Sequence, residues 1–344
     1  MALLTAAVTF PLIFMGGLVT SKGAGMSVPD WPNTWGYNMF TFPIQKWVGG
    51  IFYEHLHRLI AAFVGFLTVV LMGVAFATDR RRYIRWTAVA IFLAVSVQGV
   101  IGGLRVVLSE RDLAMVHGCA AQLCFCFMAT YCVMTSPFWT DRQTISAEQR
   151  DALRPLLGIA VFATAIVLMQ LIIGAIMRHS DAGLAIPDLP LAYGHWLPPT
   201  SLDDGFRASA IHEYGPNLGL SHVTLFQIWI HFAHRIGAIF VTAAIVTLSI
   251  AILRRRKQNR LTSYAVALLI LLAAQITLGV LTVLLRKPAD IASAHVAVGS
   301  LVLMTSWITV VRIYRLLHPA TAEITSSERL GGFEPVTLHA VGAQ

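Results

Sequence analysis

Eight long apolar runs constrain this chain more than any other feature, because each approaches the roughly 20 residues that a helix needs to cross a bilayer. They cover approximately residues 2–20, 52–77, 85–108, 113–135, 155–177, 224–252, 262–285 and 291–316. Hydrocarbon offers backbone amides no water, so a spanning segment must satisfy them within a helix or a closed barrel. Runs of this length and apolarity predict helices. The fold class is therefore all-α: a polytopic membrane protein with eight transmembrane helices. With only 12% of residues charged, no stretch is left for a soluble domain of any size. The first run stands where a signal peptide would, but lacks a basic n-region and a clear cleavage site, and is expected to persist as a helix.

The net charge of +8 is explained by its location. The loops after spans two, four and six contain "DRRRYIR", "DRQTISAEQRDALR" and "RRRKQNR", and Arg312, Arg315 and Arg329 follow toward the C-terminus. Together these hold fifteen basic residues, against eight in the four alternate loops. The positive-inside rule then places both termini in the cytoplasm, and a bacterial inner membrane is the expected location. Charge distributed this way implies membrane lipid as partner and calls for no nucleic acid. Cys119, Cys124, Cys126 and Cys132 all fall in span four. A disulfide framework belongs in oxidising loops, so these four read as small apolar fillers.

The chain is also written twice. "AGMSVPDWPNTWG" (24–36) matches "AGLAIPDLPLAYG" (182–194), "HRLIAAF" (57–63) matches "HRIGAIF" (234–240), and "VQGVIGGLRVVL" (97–108) matches "AQITLGVLTVLL" (274–285). Four spans are followed by four equivalents, which predicts two pseudo-symmetric four-helix bundles. An even number of spans per unit relates them by an axis along the membrane normal. The expected units are residues 1–145, residues 146–317 and a polar cytoplasmic tail, 318–344, with little order. The two long external loops, about 21–51 and 178–223, share the Ala-Gly…Pro-Asp…Pro motif and should form an ordered, turn-rich cap. His195, His212 and His222 in the second loop show no partner pattern and read as polar surface.

Four histidines repeat with the spans. His57 and His234 open spans two and six; His117 and His295 open spans four and eight. All four lie near the outer ends of their helices, two in each half. Ionisable groups within spans are rare and usually functional, and imidazole is a good ligand for iron, zinc and copper. Two histidines per half, with no repeated cysteine or carboxylate beside them, do not complete a tetrahedral zinc site. They suit a haem, whose porphyrin supplies four nitrogens and needs axial ligands alone. Small residues follow each histidine: Ala61 and Ala62, Gly118, Ala120 and Ala121, Gly237 and Ala238, Ala297 and Gly299. They fit either a porphyrin pocket or close helix packing. Arg58 and Arg235 could pair with propionates or snorkel to the interface. Three residues before His57 stands Glu54, and three before His234 stands His231, each on the same helix face as its histidine. A carboxylate in one pocket could move protons or hydrogen-bond the helix N-terminus. His55 points to another face, and Gln98 and Gln275, also repeat-related, should bond between helices.

"GGLVTSKGAGMSVPDWP" after span one, "EHLHR" opening span two, "VHG" in span four, "HFAHR" in span six and "AHVAVG" in span eight, taken in order, resemble the haem A synthase family over about residues 10–315. The resemblance implies an enzyme that oxidises the C8 methyl of haem O to a formyl group through a hydroxymethyl intermediate. It implies that His57 and His117 face the iron of substrate haem O and that Glu54 matters to the chemistry. His234 and His295 would be axial ligands of a haem b cofactor that relays electrons. It further implies a haem O synthase as substrate source, an electron partner of unspecified kind, and a role in terminal oxidase assembly. Some members carry a cysteine pair in the first external loop; residues 21–51 here contain none. A rival reading is a di-haem b electron-transfer cytochrome that modifies neither haem. Its histidines would be the same, but it has no need of Glu54 in one pocket. A transporter would instead place its ionisable groups near the midplane.

Overall fold

The computed structural model describes residues 1–141, 145–215, 218–257 and 259–318. Among these, eight helices are long and apolar enough to span a membrane. They are α1 (Ala2–Ser21), α2 (Gly49–Thr78), α3 (Arg82–Val107), α4 (Arg111–Met134), α6 (Ala147–His179), α8 (Leu225–Arg254), α9 (Thr262–Leu284) and α10 (Ala289–Leu317). A single turn, α5 (Pro137–Thr140), follows α4, and α7 (Asp204–Tyr214) lies in the second long loop. Residues 319–344 of the expected polar tail, with Arg329, and Arg142 fall outside the described residues.

The helix starts follow local chemistry. α8 opens on a capping box, in which the Thr224 hydroxyl accepts from Gln227 N while the Gln227 side chain accepts from Thr224 N. The same device, Ser146 with Gln149, starts α6 at Ala147. That is eight residues before the apolar run expected from residue 155. The charged stretch "AEQRDALR" is the solvent end of the helix rather than a loop, because a capping box satisfies N-terminal amides that would otherwise need water.

Packing sets the order of the spans. α1 packs on α2 and α4, and α3 packs on those same two helices; α6 packs on α8 and α10, and α9 packs on those two. Between the sets, α10 meets α1 and α4, and α4 meets α6. Of the apolar window of α10, 67% is buried, against 33% or less in the other spans, so α10 is the central element. Its face carries Val302, Leu303, Val310 and Ile313 into a core shared with Leu156, Ala160, Ile245, Leu248 and Leu268. A smaller core forms around Val64, Leu71, Ile84 and Ile91.

The two long loops build the same turn from the same residues. Asp30 accepts from the backbone N–H groups of Trp35 and Gly36, each at 2.7 Å. Asp188 accepts from those of Tyr193 and Gly194, each at 2.8 Å. Thr34 pairs with Tyr37, and Ala192 with His195, as isolated antiparallel bridges. The second loop adds its own small core, in which Tyr193 stacks edge-on against Phe206 and Tyr214 of α7 over Ile186, Leu220 and Ile228. The loops are ordered caps, as expected; α7, capped by Asp203 on Phe206 N, was not foreseen. His195, His212 and His222 are exposed.

Candidate functional site

An imidazole can enter a packed bundle only where the facing helix yields space, and here glycines yield it. A Cβ added to Gly16 of α1 would lie 3.1 Å from Cε1 of His57. The same construction at Gly102 of α3 meets His117 at 3.0 Å, at Gly174 of α6 meets His234 at 2.9 Å, and at Gly279 of α9 meets His295 at 3.0 Å. Any larger residue would displace the ring, since close-packed interiors absorb little added volume. These glycines repeat as the histidines do; Gly102 and Gly279 fall opposite each other in the two matched α3 and α9 segments. The sequence signal was present, but on the neighbouring helix rather than beside each histidine. Of the small residues that follow the histidines, Gly237 and Gly299 clear room for the side chains of Gln170 and Gln275, and Gly118 faces open space.

His234 and His295 face each other with ring centroids 6.4 Å apart and planes inclined at 72°. An atom bound by both rings at a metal–nitrogen distance of about 2 Å sets the centroids roughly 6 to 6.5 Å apart. His295 Nδ1 lies 3.1 Å from the Gln275 carbonyl. A carbonyl can only accept, so Nδ1 carries the proton, the tautomer usual in a ligating histidine; the Nε2 lone pair then faces Gln275 Nε2 at 3.4 Å. His234 Nδ1 lies 3.0 Å from Gln170 Nε2, which also donates to His234 O at 2.8 Å. Gln170 Oε1 and Gln275 Oε1 are buried without partners. Among the described residues no three His, Cys, Asp or Glu side chains converge on a metal position. A metal held by this pair would need further ligands from elsewhere, and a porphyrin is one group that brings them.

The first pair is held differently. Gln98, with its amide nitrogen turned toward His117, donates to His117 Nδ1 at 2.9 Å and accepts from Ala121 N at 3.3 Å. His57 has no matching glutamine: the position equivalent to Gln170 is Leu12, whose backbone lies within reach of the His57 ring.

The residues that accompany the histidines serve the loops. Glu54, 1% exposed, accepts from Val28 N through Oε2 (2.9 Å) and pairs with Arg58 Nη2 through Oε1 (2.9 Å). His231 Nδ1 accepts from Ile186 N at 3.2 Å, and Val28 and Ile186 are the same position of the repeated motif. Arg58 donates to the carbonyls of Asp30 (2.6 Å), Asn33 (2.9 Å) and Val28 (2.8 Å). Arg235 donates to those of Leu191 (2.8 Å) and Ile186 (2.9 Å). Both guanidinium groups thus clamp a loop to its helix, a use that the sequence left open between propionates and interface. His55 is a loop anchor as well, with Nδ1 3.1 Å from Thr34 Oγ1 and its ring packed on Phe42 and Trp47.

Paired imidazoles on facing spans, roofed by clamped loops, sit in an all-helical protein with eight candidate membrane spans. The chain belongs to the COX15-CtaA family of cytochrome oxidase assembly proteins, which it matches over residues 1–307. Among curated relatives, "Heme A synthase" of Chelativorans sp. (strain BNC1) is 26% identical over 326 residues, covering 86% of this chain and 84% of that protein. "Heme A synthase" of Shewanella oneidensis is 24% identical over 318 residues, covering 88% and 92%. The protein of the same name from Symbiobacterium thermophilum is 28% identical over 288 residues, covering 81% and 83%.

Proposed function

We propose that this protein is a haem A synthase, oxidising the C8 methyl of haem O to a formyl group by way of a hydroxymethyl intermediate. The observation that carries the reading is the opposed pair His234 and His295, spaced for a common metal and given room by Gly174 and Gly279. In this reading residues 1–145 form the substrate half and 146–317 the cofactor half, two pseudo-symmetric bundles whose equivalent helices make equivalent contacts. Haem b held by His234 and His295 supplies one-electron redox chemistry. His57 and His117 face the iron of haem O.

The difference in restraint supports that division. A resident cofactor is served by imidazoles fixed through Gln170 and Gln275, whereas a substrate must come and go, and behind His57 a leucine, Leu12, replaces the glutamine. With water as the source of the formyl oxygen, converting CH3 to CHO releases four protons and four electrons, the electrons passing to an external acceptor, and Glu54, one turn from His57, would take up protons. Both termini lie in the cytoplasm of a bacterial inner membrane, with the haem sites near the outer face. Haem O synthase is the substrate source, and terminal oxidase assembly uses the product.

Co-expression with a haem O synthase tests the reading: extracted pigment should contain haem A. Protein that retains a haem b spectrum yet yields no haem A would instead be an electron-transfer cytochrome. His234→Ala and His295→Ala should each abolish a low-spin bis-histidine haem b spectrum, and its survival in both would remove these ligands.

A further inference from the structure

With Arg58 and Arg235 engaged by loop carbonyls, the charge that faces the first histidine pair is a different one. Arg105 lies on the last full turn of α3, on the same face as Gly102 and about 4.5 Å nearer the outer end. Gly102 touches the His117 ring, and Arg105 follows it by one turn on the same helix face. Its guanidinium is roofed by the first loop: a Cβ on Gly25 would lie 3.1 Å from Arg105 Nη1. It is also close enough to Glu54, His57 and His117 to act on their charges. Among the described residues its guanidinium forms no hydrogen bond, and the ion pairs are those of Arg58 with Glu54 and Arg81 with Asp79.

This feature does not repeat. The position matching Arg105 is Thr282, while the buried arginine of the second half, Arg178, is matched by Thr20. Arg178 Nη2 is occupied, donating to Gly17 O and to Ser21 Oγ at 2.8 Å. An intramembrane arginine without a partner is costly and normally marks a ligand or an ion path. The ligand chemistry that suits it is a carboxylate, which a guanidinium grips bidentately.

We propose that Arg105 anchors a propionate of the substrate porphyrin in the first pocket. The proposal rests on the reading of that pocket as the haem O site and adds its selectivity. The C8 methyl shares a pyrrole ring with a propionate. Pinning that carboxylate stops the porphyrin from turning about its iron and presents one methyl out of several. Arg105 is a positioning residue in this scheme.

The test compares haem O with its propionate dimethyl ester, using full-length protein in detergent that carries its haem b. Bound porphyrin is measured by chromatography of extracted pigment across a titration. Wild type should bind haem O roughly ten- to a hundredfold more tightly than the ester, the range expected for a hydrogen bond to a charged group. Arg105→Gln should lose that preference by weakening haem O alone, and Arg105→Lys should restore part of it, with the haem b spectrum unchanged in both. Equal affinity of Arg105→Gln and wild type for haem O would overturn the anchor, as would equal weakening of haem O and ester. If wild type binds neither porphyrin beyond its haem b, the substrate reading of the first pocket fails as a whole. If His57→Ala loses haem O while Arg105→Gln does not, the anchor alone is lost.

Discussion

Glu54 and His231 show how one position can be kept structurally and changed chemically. Both accept the backbone N–H of the residue before the repeated Pro-Asp, so both fasten a loop to the helix below it. A carboxylate and an imidazole each supply that acceptor, but the carboxylate also brings a charge beside His57. The two contributions separate by substitution. Glu54→Gln keeps an acceptor for Val28 N and removes the charge, whereas Glu54→Ala removes both. If the charge serves proton transfer, haem A yield should fall roughly a hundredfold in both variants, with Glu54→Gln retaining the thermal stability of wild type. Wild-type yield in Glu54→Gln would leave Glu54 as a loop fastener. The histidines were legible because they repeat and because ionisable groups in spans are rare. Gln170, Arg105 and the facing glycines were not, since their roles depend on which helices become neighbours.

At the scale of elements, the two long loops were readable as ordered caps because Asp and Gly recur at a fixed spacing in both. The carboxylate of Asp30 is pulled upward in pKa by burial, but the N–H groups of Gly36 and Trp35, with Arg58, outweigh this and hold it below the ordinary 3.8. A lowered folded-state pKa means that its contribution is complete above the unfolded value and disappears as pH falls through the folded one. Amide exchange at Trp35 and Gly36, corrected for intrinsic rate at each pH, should therefore stay slow down to about pH 4 and accelerate below it. Asp30→Asn should exchange faster at neutral pH and show little further change on acidification. Persistent protection of wild type well below that pH would show that other contacts hold the turn. The early start of α6 escaped the hydropathy pattern because a capping box announces a helix through polar residues, where apolar periodicity is silent.

Across the whole molecule, α10 joins the two sets of helices, and α1 meets it at Gly17. A Cβ there would stand 3.0 Å from the Cβ of Ser293, and Arg178 ties the carbonyl of the same glycine. Trp307 Nε1 donates to Thr130 Oγ1 at 2.8 Å and fastens α10 to α4. Gly17→Leu should force α1 away from α10 at a cost of about 1–3 kcal/mol, read as a lower unfolding temperature in detergent. Haem b content should fall with it, because α10 carries His295. An unchanged unfolding temperature would mean that the contact between α1 and α10 contributes little.

The sequence by itself determined that this chain crosses a membrane as eight helices, that its two halves share motifs, and which histidines recur, because hydrophobic length and repetition are local properties of a string. Tertiary structure decided what each polar residue does. Arg58 and Arg235, equally able in principle to meet a propionate, are drawn to loop carbonyls lying within hydrogen-bond reach. Arg105, unremarkable in the string, forms no side-chain hydrogen bond among the described residues, where α3 packs against α4 and Gly102 meets the His117 ring. Such assignments follow from distances between residues far apart in the chain, and only packing fixes those distances.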